Sequence, residues 1–173
     1  MIGNLLLPMW KMDNEAFLNT ITENQGIIHK VCGVYCDTAE DREDLFQEIV
    51  AQLWRSFPTF RSESKISTWM YRVSLNTAIT HFKKDKRRPD KDGIDQESIQ
   101  IASVEYDEAQ EEKIKMLHKA IAQLTGIEKS IVLLFLEDKK YEEIADIVGI
   151  TQNYVRVKMN RIKLKLKKLM GDQ

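Results

Sequence analysis

Glycine and proline are scarce in this chain, seven and three among 173 residues. A β-rich fold needs more turn punctuation than that, so the chain reads as mostly helical. Cysteine is scarcer still. Cys32 and Cys36 stand alone, too few for a disulfide framework, which makes a reduced, cytoplasmic setting the default. No apolar run approaches the roughly 20 residues a helix needs to cross a bilayer. The opening MIGNLLLPMWK carries a short apolar run broken by Pro8. No basic residue precedes it and no small-residue cleavage pattern follows, which argues against a signal peptide; residues 1–11 read as a tail ahead of the first helix.

Catalytic signatures are missing too. There is no glycine-rich phosphate loop, and no Ser/His/Asp or paired-carboxylate pattern tied to a pocket-forming scaffold. Neither an enzyme nor a cofactor is expected. His29, Cys32 and Cys36 fall on one face of the first helix at spacings that could hold zinc. No fourth ligand lies nearby and cysteine is a common core residue, so no metal site is expected.

What the chain does have is segregated charge. Its net charge of −1 hides a segment from Asp90 to Glu112 with nine acidic residues and one basic one. It also hides a stretch from Thr151 to Leu169 with seven basic residues and no acidic ones. Separation on this scale speaks to partners more than the net value does.

The apolar spacing gives the elements. Asp13 can cap a helix with Phe17, Ile21, Ile28, Val31 and Tyr35 on one side. Thr38 is a good N-cap for the next, in which Leu45, Ile49, Leu53 and Phe57 form a stripe and Pro58 makes the stop. Its opposite face presents Asp41, Asp44, Gln47, Glu48 and Ala51. After the polar loop TFRSESKIS, Ser67 caps a third helix with Met70, Val73, Ala78, Ile79 and Phe82 inward, ending in a basic run. Residues 13–88 thus form one helical domain. Residues 89–112 read as an acidic linker. Residues 113–170 form a second domain that resumes at KIKMLHKAIAQL, with a break at Thr125 and Gly126.

The end of that domain has the pattern of a helix-turn-helix. A short helix carries the small Ala145 where a second helix would cross it. Gly149 supplies a permissive turn, and Thr151 caps a basic amphipathic helix with Val155, Met159, Ile162, Leu166 and Leu169 inward. Gln152, Asn153, Arg156, Lys158 and Arg161 would face a major groove, with Lys163 to Lys168 on phosphates. Seven unopposed cations favour DNA over a merely solvated face.

Taken together, DREDLFQEIVAQLW, the loop, STWMYRVSLNTAITHFKKDKRR and YEEIADIVGITQNYVRVKMNRIKLKL resemble the bacterial sigma factors, in particular their extracytoplasmic-function group. The resemblance spans about residues 13–170. It implies an all-α chain of two small domains, the first (region 2) binding core RNA polymerase and opening the minus-ten element, the second (region 4) reading the minus-thirty-five element. An anti-sigma factor is a further partner that the family allows. The resemblance assigns Asp44, Gln47 and Glu48 to the polymerase. It assigns Ser62, Ser64, Lys65, Trp69, Lys83, Lys84, Lys86, Arg87 and Arg88 to minus-ten DNA. Trp69 matches an aromatic wedge position, where stacking on an unpaired base is worth about 1–3 kcal/mol, with a buried structural role as the alternative. Asn76 matches a family asparagine that serves either DNA or helix packing. Thr151, Gln152, Asn153, Tyr154, Arg156, Lys158 and Arg161 go to minus-thirty-five DNA. Asn153 and Tyr154 stand where the family has a Gly–Thr pair, and Val157 where a small polar residue is common, which leaves base preference open. From the residues alone, a stand-alone dimeric regulator with an N-terminal sensing bundle is the competing reading.

Overall fold

A computed structural model describes residues 9–85 and 108–171. Among these, every regular element is helical: α1 (Met9–Tyr35), α2 (Ala39–Ser56), α3 (Ile66–Asp85), α4 (Glu108–Ala122), α5 (Gly126–Leu136), α6 (Tyr141–Val148) and α7 (Gln152–Met170). The all-α class, the helix-turn-helix and the order of elements match the expectation. Residues 86–107, which include Lys86, Arg87 and Arg88 and most of the 89–112 segment read as linker, lie outside the described residues.

Local chemistry explains most of the ends. Thr38 caps α2, its hydroxyl accepting from the Asp41 N–H at 3.1 Å. A single 3-10 turn at Phe57–Thr59 follows α2, with Pro58 inside it. Thr125 and Glu128 form a reciprocal capping box that starts α5, and Thr151 caps α7 through the Tyr154 N–H. Gly149 ends α6 in the left-handed region at φ 75°, which turns the chain into α7.

Three boundaries differ from the sequence reading. α1 begins upstream of Asp13, which is therefore an interior residue rather than a cap. α3 begins at Ile66, so Ser67 also lies inside its helix. α4 begins at Glu108, inside the segment read as linker. At α1 and α3 the helix runs past a residue that would have made a good cap, because a capping side chain does not forbid a helix interior; at α4 the helix starts five residues earlier than the apolar pattern does.

The helices α1, α2 and α3 pack on one another, as do α4 to α7, but the two groups are not separate bodies. α5 packs against both α1 and α3, α6 against α3, and α4 against α1. One hydrophobic cluster runs from Phe17 through Leu45, Ile49, Leu53 and Met70 to Leu134, Val155 and Ile162. Burying a side chain of that size is worth about 1.5–3 kcal/mol. The shared core explains why α3 has no clean apolar stripe. Tyr71, Ser74, Leu75 and Thr77 are buried beside the expected Met70 and Ala78, since α3 is covered by its own domain on one side and by α5 and α6 on another. At the far end of α7, Leu169 is exposed rather than inward, because the helix runs on past the elements it packs against.

Two glycines separate backbone strain from packing. A Cβ added at Gly149 would touch nothing within 4 Å, yet the positive φ remains. Gly149→Ala should therefore cost about 1–2 kcal/mol by backbone strain alone. Gly26 lies within α1 with equally open surroundings, so Gly26→Ala should stabilise by about 0.5–1 kcal/mol. Urea denaturation of both variants checks the opposite signs.

Candidate polymerase and promoter surfaces

The outer face of α2 is set by the inner one. Burial of Leu45, Ile49 and Leu53 turns Asp44 and Gln47 to solvent. Glu48 is partly withdrawn, its carboxylate 2.9 Å from Nδ1 of His81 on α3. Beside this polar face lies a shallow apolar groove lined by Phe17, Phe46, Gln47, Val50, Ala51 and Trp54. Trp54 packs edge-on against Phe17 at 4.9 Å while remaining 44% exposed. An indole half in and half out of an apolar groove is the kind of residue that anchors protein interfaces. The sequence analysis did not single out Trp54; the signal available was its offset from the Leu45/Ile49/Leu53 line.

The loop before α3 is held from below. Trp69 is only 9% exposed, its ring 5.0 Å from that of Phe60 and 6.1 Å from that of Phe57. The indole is packed under the loop, the arrangement expected of a structural role. Above it, Ser62 is exposed with φ 57°, Ser64 is half-buried and Lys65 exposed. A non-glycine residue in the left-handed region marks a strained position held by its surroundings. Asn76 is exposed on α3. Lys83 and Lys84 are exposed at the end of α3.

On α7, burial of Val155, Met159 and Ile162 leaves Thr151, Gln152, Asn153, Tyr154, Arg156 and Arg161 exposed as expected. Lys158 departs from the expected set. Its side chain is only 24% exposed, its ammonium 3.5 Å from the Glu128 carboxylate of α5. Glu128 also lies 3.7 Å from Lys165. These two lysines hold the recognition helix to the body of its domain. Asn160, which the sequence reading passed over, is exposed one turn beyond Arg156.

The metal alternative has no support in the geometry. His29 is exposed and stacks on Phe46 at 4.8 Å, while Cys32 and Cys36 are in the core. Burial pushes the Cys32 thiol up to about 12, which keeps it protonated in the core. Among the described residues no group of His, Cys, Asp or Glu could hold a metal ion, and no helix is long and apolar enough to cross a membrane.

Fold and surfaces together define a two-domain, all-helical DNA-binding protein with a C-terminal helix-turn-helix. Comparison with known proteins narrows the class. Residues 20–88 match the Sigma-70 region 2 family and residues 114–166 the Sigma-70, region 4 family. The RNA polymerase sigma factor SigV of Bacillus subtilis is 31% identical over 155 residues, spanning 87% of this chain and 89% of that one. The ECF RNA polymerase sigma-E factor of Escherichia coli K12 is 28% identical over 162 residues, spanning 87% and 84%. Among solved structures, CnrH in complex with the cytosolic domain of CnrY shares the fold with a TM-score of 0.64 at 14% identity, over 91% of this chain and 88% of that one. RpoE of Bartonella quintana, solved with the anti-sigma factor NepR, gives 0.64 at 20%, over 92% and 98%. The chain belongs to the sigma-70 family of RNA polymerase sigma factors, in its extracytoplasmic-function group.

The Glu128 contacts make a pH-dependent prediction. Burial works to raise its carboxyl, but the Thr125 N–H and hydroxyl and the ammonium groups of Lys165 and Lys158 outweigh it, and the net shift is below the ordinary 4.5. A depressed carboxyl stabilises the fold above its unfolded pKa, and the contribution is lost as pH falls through the folded value. Glu128→Gln should thus melt below the wild type at neutral pH. The gap should close in acid below about pH 4.5, as read by thermal melts across pH.

Proposed function

We propose that this chain directs core RNA polymerase to its promoters with a division of labour between its domains. The outer face of α2, through Asp44 and Gln47, meets the polymerase, and the adjoining Trp54 groove extends that contact. Glu48 contributes in the orientation that His81 gives it. The loop carrying Ser62, Ser64 and Lys65 receives opened minus-ten DNA. The exposed Asn76, Lys83 and Lys84 of α3, continued by Lys86, Arg87 and Arg88, follow its backbone. Trp69 supports the loop from beneath.

The second domain reads the minus-thirty-five element with α7. The observation that carries this reading is the exposed row of Gln152, Asn153, Arg156 and Arg161 on a helix entered through the left-handed turn at Gly149. Amide and guanidinium groups so placed can pair with base edges in a major groove, and Asn160 extends the row. Thr151 and Tyr154 at the N-terminus of the helix suit phosphate. Lys158 acts from behind, fixing the helix to α5. Such work takes place in the cytoplasm, where polymerase and promoters are, and requires no catalysis or cofactor by this chain itself. Both solved likenesses were captured in complexes, one of them with an anti-sigma factor, which supports an anti-sigma factor as a further partner here.

In vitro transcription with core polymerase and a promoter library tests the whole. A shared pair of elements should emerge among the transcribed templates; tight binding to a palindrome without polymerase would overturn the reading. Asp44→Arg combined with Gln47→Ala should weaken binding to core polymerase in a pull-down while leaving helicity unchanged, since both side chains are at the surface. Arg156→Ala should relax preference at one upstream base pair at a cost of about 1–3 kcal/mol there. Lys168→Ala should instead weaken all sequences alike and flatten the salt dependence, as loss of a phosphate contact does.

A further inference from the structure

The two domains meet along a seam of unusual chemistry. Among the residues by which α5 meets the N-terminal domain are Gly126, Lys129 and Ser130, spaced three and four apart; Gly126 faces Ile79 and Phe82, while the other two bring polar groups to the seam. Lys129 is 2% exposed. Its ammonium donates to the Val34 carbonyl at 2.9 Å, one of the last carbonyls of α1, and so caps the negative end of that helix. It also lies 4.8 Å from the centre of the Phe82 ring on α3 and 5.7 Å from that of Tyr35 on α1, both within cation–π reach. The Tyr35 hydroxyl bonds to the Gly126 carbonyl and to the Ser130 hydroxyl. At the rim, Glu137 receives Lys30 at 2.6 Å and the Tyr71 hydroxyl at 3.1 Å. On the far side, Arg72 of α3 is paired with Asp146 of α6 at 3.0 Å.

A seam meant to stay closed is best built from aliphatic side chains, because replacing a buried ionic group by an apolar one is often neutral or stabilising. Here the central position is a lysine. When the domains part, its ammonium regains water, as do the Tyr35 hydroxyl, the Glu137 carboxylate and the Arg72 guanidinium. Every polar group that the closed form satisfies internally is satisfied by solvent in the open one. The penalty for opening therefore falls on the apolar area alone. That is the composition of a reversible contact.

Arg72 shows what closure withholds. It stands one turn before Asn76 on α3, with Thr80, Lys83 and Lys84 further along the same helix. A guanidinium there can pair bidentately with a phosphate. In the closed form the Asp146 carboxylate, another oxygen anion, takes that place, and the Asp146 backbone carbonyl accepts from the same Arg72 nitrogen at 3.2 Å.

We propose that the domain seam is a latch pinned by Lys129, and that its release frees Arg72 to contact the nucleic-acid backbone. The pin itself is independent of the promoter reading; the role given to Arg72 rests on it.

Lys129→Glu in the full chain is the direct test. A carboxylate there would face the negative end of α1 and the faces of two rings, while in an open form it would sit harmlessly on a solvated helix. By small-angle scattering the wild type should show a radius of gyration near the roughly 16 Å of a compact chain of this length. The variant should be several ångströms larger with unchanged far-ultraviolet circular dichroism. Without polymerase, it should bind a single-stranded oligonucleotide of the promoter's minus-ten region more tightly, on the order of tenfold, as ordinary intramolecular couplings allow. Lys129→Glu combined with Arg72→Ala should lose that gain. Asp146→Arg, a change between two surface side chains, should expand the chain less, and the swap Arg72→Asp with Asp146→Arg should restore the compact form. This pair decides the matter should Lys129→Glu lose helicity. An unchanged radius in Lys129→Glu with helicity intact overturns the pin. Expansion without tighter binding, or equal tightening without Arg72, overturns the release of a DNA contact. Failure of the promoter reading itself is seen separately, as expansion in a protein that supports no polymerase-dependent transcription.

Discussion

A helix that is apolar on nearly every side must be covered on nearly every side. α5 imposes that constraint here. From Lys129 to Leu134 all of its residues are buried, more surface than α4, α6 and α7 cover between them. The helices α1 and α3 complete the cover, and so a chain with the pattern of two domains closes around one core. The burial of Tyr71, Leu75 and Thr77 on α3 follows from the same demand, as does the position of Asp146 against Arg72.

The demand is met unevenly around the helix. Toward its own domain α5 presents aliphatic side chains to a cluster that includes Ile144, Val155 and Met159. Toward α1 and α3 it adds Lys129 and Ser130, whose contacts include hydrogen bonds and ring faces. One side is built like the inside of a domain and the other like the meeting of two. The difference fits a family in which two domains address separate promoter elements on one polymerase.

Charge is used in the same divided way. The seven cations from Arg156 to Lys168 read as a single basic helix, yet they have distinct tasks. Lys158 and Lys165 are drawn to Glu128, which also closes the capping box of α5. One carboxylate thereby fixes the start of one helix and the pose of another. Arg156 and Arg161 remain outward because α7 is already held by its apolar stripe and by these two tethers. A recognition helix has to be rigid before its side chains can discriminate between bases.

The sequence by itself determined the class, the helix order and most of the outward side of α2 and α7. Period-3.6 burial of Leu45, Ile49 and Leu53 implies an outward Asp44 and Gln47, and the Ala145–Gly149–Thr151 spacing implies a helix-turn-helix. These features are local: each depends on residues within a turn or two of one another, and the caps at Thr38 and Thr151 were legible for the same reason. Only the tertiary structure decided the fates of Trp69, Lys158, Glu48 and Lys129. An aromatic at the start of α3 can stand exposed or packed, and what buried Trp69 was the approach of Phe57 and Phe60 from the preceding turn. A lysine on a basic helix can face DNA or its own domain, and what turned Lys158 inward was a carboxylate thirty residues away on α5. The closure of the two domains depended on contacts such as Lys129 to Val34, separated by 95 positions. Periodicity reports which face of a helix is buried, and carries no record of which distant element will bury it.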